Sequence, residues 1–293
     1  MMKNIISLIR PHHWTKNGFV FMPLFFGHEL LNIELLLNTM VMFLAFSLAA
    51  SSIYCFNDII DVEDDRRHPV KCHRPIAAGK VSVIMGYSLM MLLVMCAIVL
   101  SYFANIQDCW SCIMVISLYW FIEIAYCTRL KRIAIVDVCI LSLGFVLRIF
   151  AGGVATGIVI SNWLVMMTFL LTLFLGFAKR RDDVLKMDNT GIAPRHNTKR
   201  YNLTFVNVSL TVTASVTLVC YIMYTVSSEV TRNFNTNHLY LTSIFVIIGL
   251  LRYMQLAVVD NKTGDPTKVL LKDRFTQLII LGWWIAFFVV IYI

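Results

Sequence analysis

Five acidic residues, Asp58, Asp61, Glu63, Asp64 and Asp65, stand within one short stretch, and Arg66, Arg67, His68, Lys71, His73 and Arg74 follow at once. Acids and bases this dense, in a chain that is otherwise mostly apolar, point to a site for a metal ion and a phosphorylated substrate. On a helix, at about 100° per residue, Asn57, Asp58, Asp61, Asp64, Asp65 and His68 share an arc of roughly 120°, and Glu63 points away. Carboxylates gathered on one face repel one another unless a cation sits among them, and hard oxygen ligands of this kind suit Mg²⁺. The plainer alternative is a solvated charged loop. The tail of the segment, residues 68–79, carries two prolines and a glycine that fix its path. Its Lys71 and Arg74 are placed to clamp phosphate oxygens.

A second polar cluster is Lys179-Arg180-Arg181-Asp182-Asp183. On a helix Lys179 and Asp183 lie on one face at i, i+4. Either this is a basic stop-transfer cluster with local ion pairs, or Lys179 and Arg180 bind an anionic substrate while Asp183 orients them or a metal. Isolated charges inside apolar runs form a third group: Arg148, Asp137, Arg252 and Glu123. A charge at mid-membrane costs about 2.5–3.5 kcal/mol even on insertion scales, so each is expected to face a polar partner inside the bundle. Glu123 is the acid available to Arg148, but it sits near the opposite end of its run, so the two meet only if the helices tilt.

The elements that must position these residues are long apolar runs. Hydrophobic residues make up 59% of the 293, charged residues 14%, and mean hydropathy is +0.75. That composition predicts an all-α polytopic membrane protein, a single integral-membrane domain over residues 1–293. Continuous runs exclude a β-barrel, whose strands would alternate. Nine transmembrane spans are expected, over residues 18–36, 38–56, 83–103, 109–127, 133–152, 163–178, 205–226, 239–258 and 277–293. The first is the weakest, interrupted by Pro23, Gly27, His28, Glu29 and Glu34.

Nearly all of the 25 Lys and Arg fall before the first span or in alternate loops, and the opposite loops hold only Arg232. The positive-inside rule then places the N-terminus and the charged loops in the cytoplasm and the C-terminus outside. No cleaved signal peptide is expected. The eight cysteines are scattered, and Cys109-Trp110-Ser111-Cys112 is a CxxC without the second pair that a metal site needs. There is no Gly-rich nucleotide loop, nucleophilic triad or nucleic-acid module.

Asn57-Asp58-x-x-Asp61-x-x-x-Asp65 resembles the NDxxDxxxD motif of the UbiA-type intramembrane prenyltransferase superfamily. Further matches resemble its decaprenyl-phosphate phosphoribosyltransferase branch. They are Arg10-Pro11-x-x-Trp14-x-Lys16-Asn17, the pattern from His68 to Gly79, Leu130-Lys131, Asp137, Arg148-x-x-Ala151-Gly152-Gly153, Gly176-x-x-Lys179-Arg180, Leu251-Arg252-Tyr253 and Asp273-Arg274. Where the branch has KRxxE, Asp183 stands in place of Glu. Quinone-type members instead carry a second Asp-rich DxxxD motif there.

The resemblance implies nine transmembrane helices around a central cavity that opens to the membrane. It implies transfer of 5-phosphoribose from phosphoribosyl diphosphate to a polyprenyl phosphate, releasing diphosphate, at the cytoplasmic face of a bacterial inner membrane. Asp58, Asp61 and Asp65, with Asn57, would hold Mg²⁺ against the leaving diphosphate. Lys71 and Arg74 would assist, Lys179 and Arg180 would grip another phosphate with Asp183 beside them, and Lys16, Lys131 and Arg148 would supply further cations. The partners implied are the two substrates and the membrane, without nucleic acid, and with a homo-oligomer left open. Two competing functions remain: a quinone-type prenyltransferase using a polyprenyl diphosphate and an aromatic acceptor, and a transporter or binder of an anionic lipid or metabolite.

Overall fold

The computed structural model of the chain describes residues 2–67, 70–261 and 272–292. All regular elements among these residues are helices, with no strand. The helices are α1 (Met2–Ile9), α2 (Met22–Phe26), α3 (Ile33–Ile60), α4 (Val62–Arg67), α5 (Val83–Ala104), α6 (Cys109–Thr128), α7 (Val136–Thr156), α8 (Asn162–Thr190), α9 (Leu203–Val226), α10 (Ser228–Asn233), α11 (Ser243–Val258) and α12 (Arg274–Tyr292). The chain forms two compact units, Met1–Lys131 with Leu143–Ile160, and Arg132–Ser142 with Ser161–Ile293. Helix α7 begins in the second and runs on into the first.

Seven helices among the described residues are long and apolar enough to cross a membrane, and α12 is a shorter apolar one. The expected count of nine is not confirmed among them. The expected first span, 18–36, is not one helix. A 3-10 segment, Pro11–Phe21, passes into the five-residue α2. Pro23 can open a helix but not sit inside one. His28 then takes a left-handed φ of 59°, which ends the run before α3 starts.

In the first unit, α3 opens on Asn32, whose side chain accepts the Leu35 N–H. It packs along α5 through small side chains. Ala45, Ala49 and Ala50 meet Ala97, Ala104, Ala151 and Ala155 in one buried cluster. Lipid tails are as apolar as the core, so close van der Waals approach, rather than escape from water, holds such helices together. Gly152 shows how close: a Cβ there would collide with the Val20 carbonyl oxygen. Hydroxyls along α3 complete the joint. Ser47 accepts from Asn17, Ser51 from the Trp14 indole and Ser52 from the Trp120 indole, at 2.9–3.0 Å. The outward face of α5 carries exposed Leu92, Met95 and Val99, as a lipid-facing helix should.

In the second unit, α8 starts on a Ser161 cap and stops at Gly191, whose φ of 71° closes the helix. It runs well beyond the expected span end at residue 178, so the basic cluster 179–183 is helical rather than looped. Phe174, Phe177, Ala178 and Val184 of α8 pack with Val206, Leu210 and Ala214 of α9 and with Leu250, Tyr253 and Leu256 of α11.

Candidate active site

The last turn of α3 and the short α4 present the acidic motif of the first unit. The break between them is slight, because Asp61 N–H still bonds the Asn57 carbonyl and Asp65 N–H the Asp61 carbonyl. The carboxylates therefore stay on the helical face that their spacing requires. Asp58 and Asp65 are buried, with side chains 1% and 2% exposed. Arg10 Nη2 lies 2.5 Å from Asp58 Oδ1. Arg74 Nη1 bridges Asp58 Oδ1 at 3.1 Å and Asp65 Oδ2 at 2.6 Å. Lys131 Nζ reaches Asp61 Oδ1 at 2.6 Å and donates to Asn57 Oδ1 at 3.4 Å. Asp58 Oδ2 is buried with no hydrogen-bond partner among the described residues.

Arg148 is held a little way along the same unit. Its Nε donates to Asn17 Oδ1 at 2.8 Å and its Nη1 to the Gly144 carbonyl at 2.6 Å. The guanidinium lies 4.7–5.3 Å from the ring centroids of Phe46, Phe145 and Tyr119. Glu123 Oε1 and Arg148 Nη1 stand 3.2 and 3.4 Å from the point where a Gly144 Cβ would be. Both side chains therefore border Gly144, where a Cβ would crowd them. Since Asn17 also bonds Ser47, Arg148 fixes the 3-10 segment that carries Lys16.

The second unit holds a different arrangement. Arg180 is fully buried between two carboxylates, with Nε 2.7 Å from Asp137 Oδ2 and Nη1 2.7 Å from Asp183 Oδ2. Arg195 Nε approaches Asp183 Oδ2 at 3.0 Å. The Tyr201 hydroxyl donates to Asp137 Oδ1 at 2.9 Å and accepts the Ile135 N–H at 2.6 Å. Burial, first of all, raises the Tyr201 phenol above its ordinary range, so it serves as a neutral donor. Arg181 turns to the Asn207 and Asn261 side chains and the Ala257 carbonyl. Arg252 forks onto Asp273, which also caps α12 through Thr276.

A model of the UbiA prenyltransferase family matches residues 20–279. The chain belongs to the UbiA family. The decaprenyl-phosphate phosphoribosyltransferase of Mycolicibacterium smegmatis is 34% identical over 97% of this chain and 91% of its own length. The enzyme of the same name from Corynebacterium glutamicum is 32% identical over 99% of this chain and 87% of its own. Among solved structures, a UbiA homolog from Archaeoglobus fulgidus, bound to GPP and Mg²⁺, superposes with a TM-score of 0.69 at 16% identity. It covers 99% of this chain and all of that one. Apolar helices and family together make this an integral membrane protein.

Within this UbiA chain, Asn57, Asp58, Asp61, Asp65, Arg74 and Lys131 gather at one place in the first unit. Lys71 is half-buried on the turn Lys71–His73, and Lys16 is half-buried beside Asn17. Asp64 is exposed, while Glu63 faces outward to Arg66, and His68 lies outside the described residues. In the second unit Lys179 is half-buried, whereas Arg180 and Asp183 engage each other rather than solvent. No group of three or more His, Cys, Asp or Glu among the described residues is close enough to hold a metal ion. The donor type of the acidic motif, hard carboxylate oxygen, is the type that Mg²⁺ takes, and one oxygen, Asp58 Oδ2, is buried without a hydrogen-bond partner among the described residues.

Sequence reasoning did not assign roles to Arg10, Asn17, Arg195 or Tyr201. Arg10 and Asn17 stand in a matching motif, which was the available signal. For Arg195 and Tyr201, 12 and 18 positions beyond Asp183, the sequence offers none.

Proposed function

We propose that the protein transfers a 5-phosphoribosyl group from phosphoribosyl diphosphate to a polyprenyl phosphate, with release of diphosphate. The carrying observation is the near full-length likeness, above 30% identity, to decaprenyl-phosphate phosphoribosyltransferases. A lipid-phosphate oxygen forms a bond to ribose C1 as the C1–O bond to diphosphate breaks, and the diphosphate leaves with the electron pair. The attacking phosphate is already anionic near neutral pH, so no strong general base is required. Rate then comes from positioning and from cations placed where negative charge grows.

Asp58, Asp61 and Asp65, with Asn57, would hold Mg²⁺. Held there, the ion would supply positive charge opposite the leaving diphosphate. Arg74 and Lys131 already lie against these carboxylates, and both are partly exposed, so diphosphate oxygens can compete for them. Arg10 stays with Asp58 and orients it. Lys71 and Lys16 add positive charge for the substrate phosphates. In the second unit we assign Lys179 to a phosphate as well. Arg148, enclosed by three rings, supports the Lys16 segment. The charge asymmetry of the loops supports a site facing the cytoplasm, with the N-terminus inside and the C-terminus outside.

The test is diphosphate release by purified protein with Mg²⁺. Release should require phosphoribosyl diphosphate and polyprenyl phosphate together. Release from a prenyl diphosphate and an aromatic acceptor instead would move the protein to the quinone-type reaction. No turnover with either pair would favour a binder or transporter.

A further inference from the structure

The second unit gathers charged groups of both signs around Arg180. Asp137 and Asp183 carry two negative charges, and Arg180 and Arg195 carry two positive ones. Tyr201 adds a neutral bond to the same group, and its oxygen also takes the Ile135 N–H. Ile135 needs that hold. It is a β-branched residue at φ 71°, a conformation such side chains avoid. One hydroxyl thus pins the strained turn before α7, the first turn of α7 and, through Asp137, the Arg180 guanidinium of α8.

We propose that Tyr201 is a positioning residue: acting through Asp137 and Arg180, it fixes the rotation of α8 and so the place from which Lys179 meets a phosphate of the sugar diphosphate donor. This rests on the transferase reading above. Lys179 and Arg180 are adjacent, so their side chains leave α8 about 100° apart. A buried arginine held by two carboxylates at 2.7 Å cannot turn without leaving a charge unpaired in a dry interior. Anchoring Arg180 therefore sets the azimuth of Lys179. Arg195 completes the arrangement by neutralising Asp183, which Arg180 alone shares with Asp137.

The experiment compares Tyr201→Phe and Arg180→Lys with the parent protein by two readouts. Kinetically, KM for phosphoribosyl diphosphate should rise about tenfold while kcat and KM for polyprenyl phosphate hold, because one hydrogen bond to a charged network is lost. Independently, acetylation of Lys179 in ligand-free protein, followed by mass spectrometry, should change severalfold relative to Lys3 and Lys199. A fall in melting temperature with both readouts at parental values would overturn the proposal and leave Tyr201 a stabilising residue only. If the parent protein turns over no phosphoribosyl diphosphate, the transferase reading fails on its own. The acetylation rates still decide whether Tyr201 places Lys179: a change upholds that placement, and parental rates refute it.

Discussion

Replacing Arg74 with Gln should make the stability of the protein depend on Mg²⁺. Arg74 Nη1 is shared by Asp58 and Asp65, whose side chains are almost wholly buried. Removing one partner of a buried ion pair costs about 3–5 kcal/mol, because the remaining charge is stranded. Two features place the loss near the lower end. The Arg74 side chain is 24% exposed, so solvent screens part of it, and Arg10 still pairs with Asp58. A loss of about 3 kcal/mol is therefore expected without metal. If Asp58 and Asp65 are metal ligands, a divalent cation replaces the missing charge. Thermal unfolding in detergent, followed by tryptophan fluorescence, measures this directly. The melting gap between parent and Arg74→Gln should be wide in EDTA and shrink by more than half in millimolar Mg²⁺. A gap of the same size in both conditions would refute a metal on these carboxylates.

Three further outcomes are expected. Asp58→Asn and Asp61→Asn should each cut turnover by about 10²-fold or more while eluting as folded protein on size exclusion, since they remove charge that acts on the leaving group; unchanged rates would take them out of the site. Gly152→Ala should destabilise by about 1–3 kcal/mol, because its Cβ would meet the Val20 carbonyl, and an unshifted melting curve would show that α7 does not come so close. The hydrogen bonds from Arg252, first of all, hold the Asp273 carboxyl below the usual range, so its stabilising effect is present above the unfolded value near about 4 and fades as pH falls. The melting gap between parent and Asp273→Asn should accordingly be constant from neutral pH to mildly acidic pH and close below it; a gap that widened on acidification would have the wrong sign.

The acidic motif was legible because its spacing matches the helix period, and a nearly unbroken helix across Asp61 preserved that register. The cations around it were harder to read. Lys131 and Arg74 were expected near phosphates, but pairing with Asp61 and Asp65 depends on tertiary placement that spacing does not encode. Hydropathy located the long helices well and failed at residues 18–36, the run that Pro23 and His28 already marked as weakest: Pro23 opens a short helix there and His28 turns left-handed. It also ended α8 too early, since Lys179–Asp183 reads as water-facing although Arg180 and Asp183 are buried against Asp137 and Arg195. Glu123 was the acid expected for Arg148, but the guanidinium takes Asn17 and the Gly144 carbonyl as its partners, and Glu123 only borders the same glycine. Ile135 and Tyr201 carried no sequence signal, because neither a strained turn nor a phenol reaching Asp137 follows from local pattern.

The identity of the transferred group is the central claim, and the mass of the lipid product tests it most directly. Purified protein would be given Mg²⁺, polyprenyl phosphate and phosphoribosyl diphosphate labelled with ¹³C in the ribose. The product should be a lipid heavier than the acceptor by one labelled phosphoribosyl group, formed in step with diphosphate. An unmodified acceptor, under conditions where the same preparation prenylates an aromatic ring from a prenyl diphosphate, would contradict it.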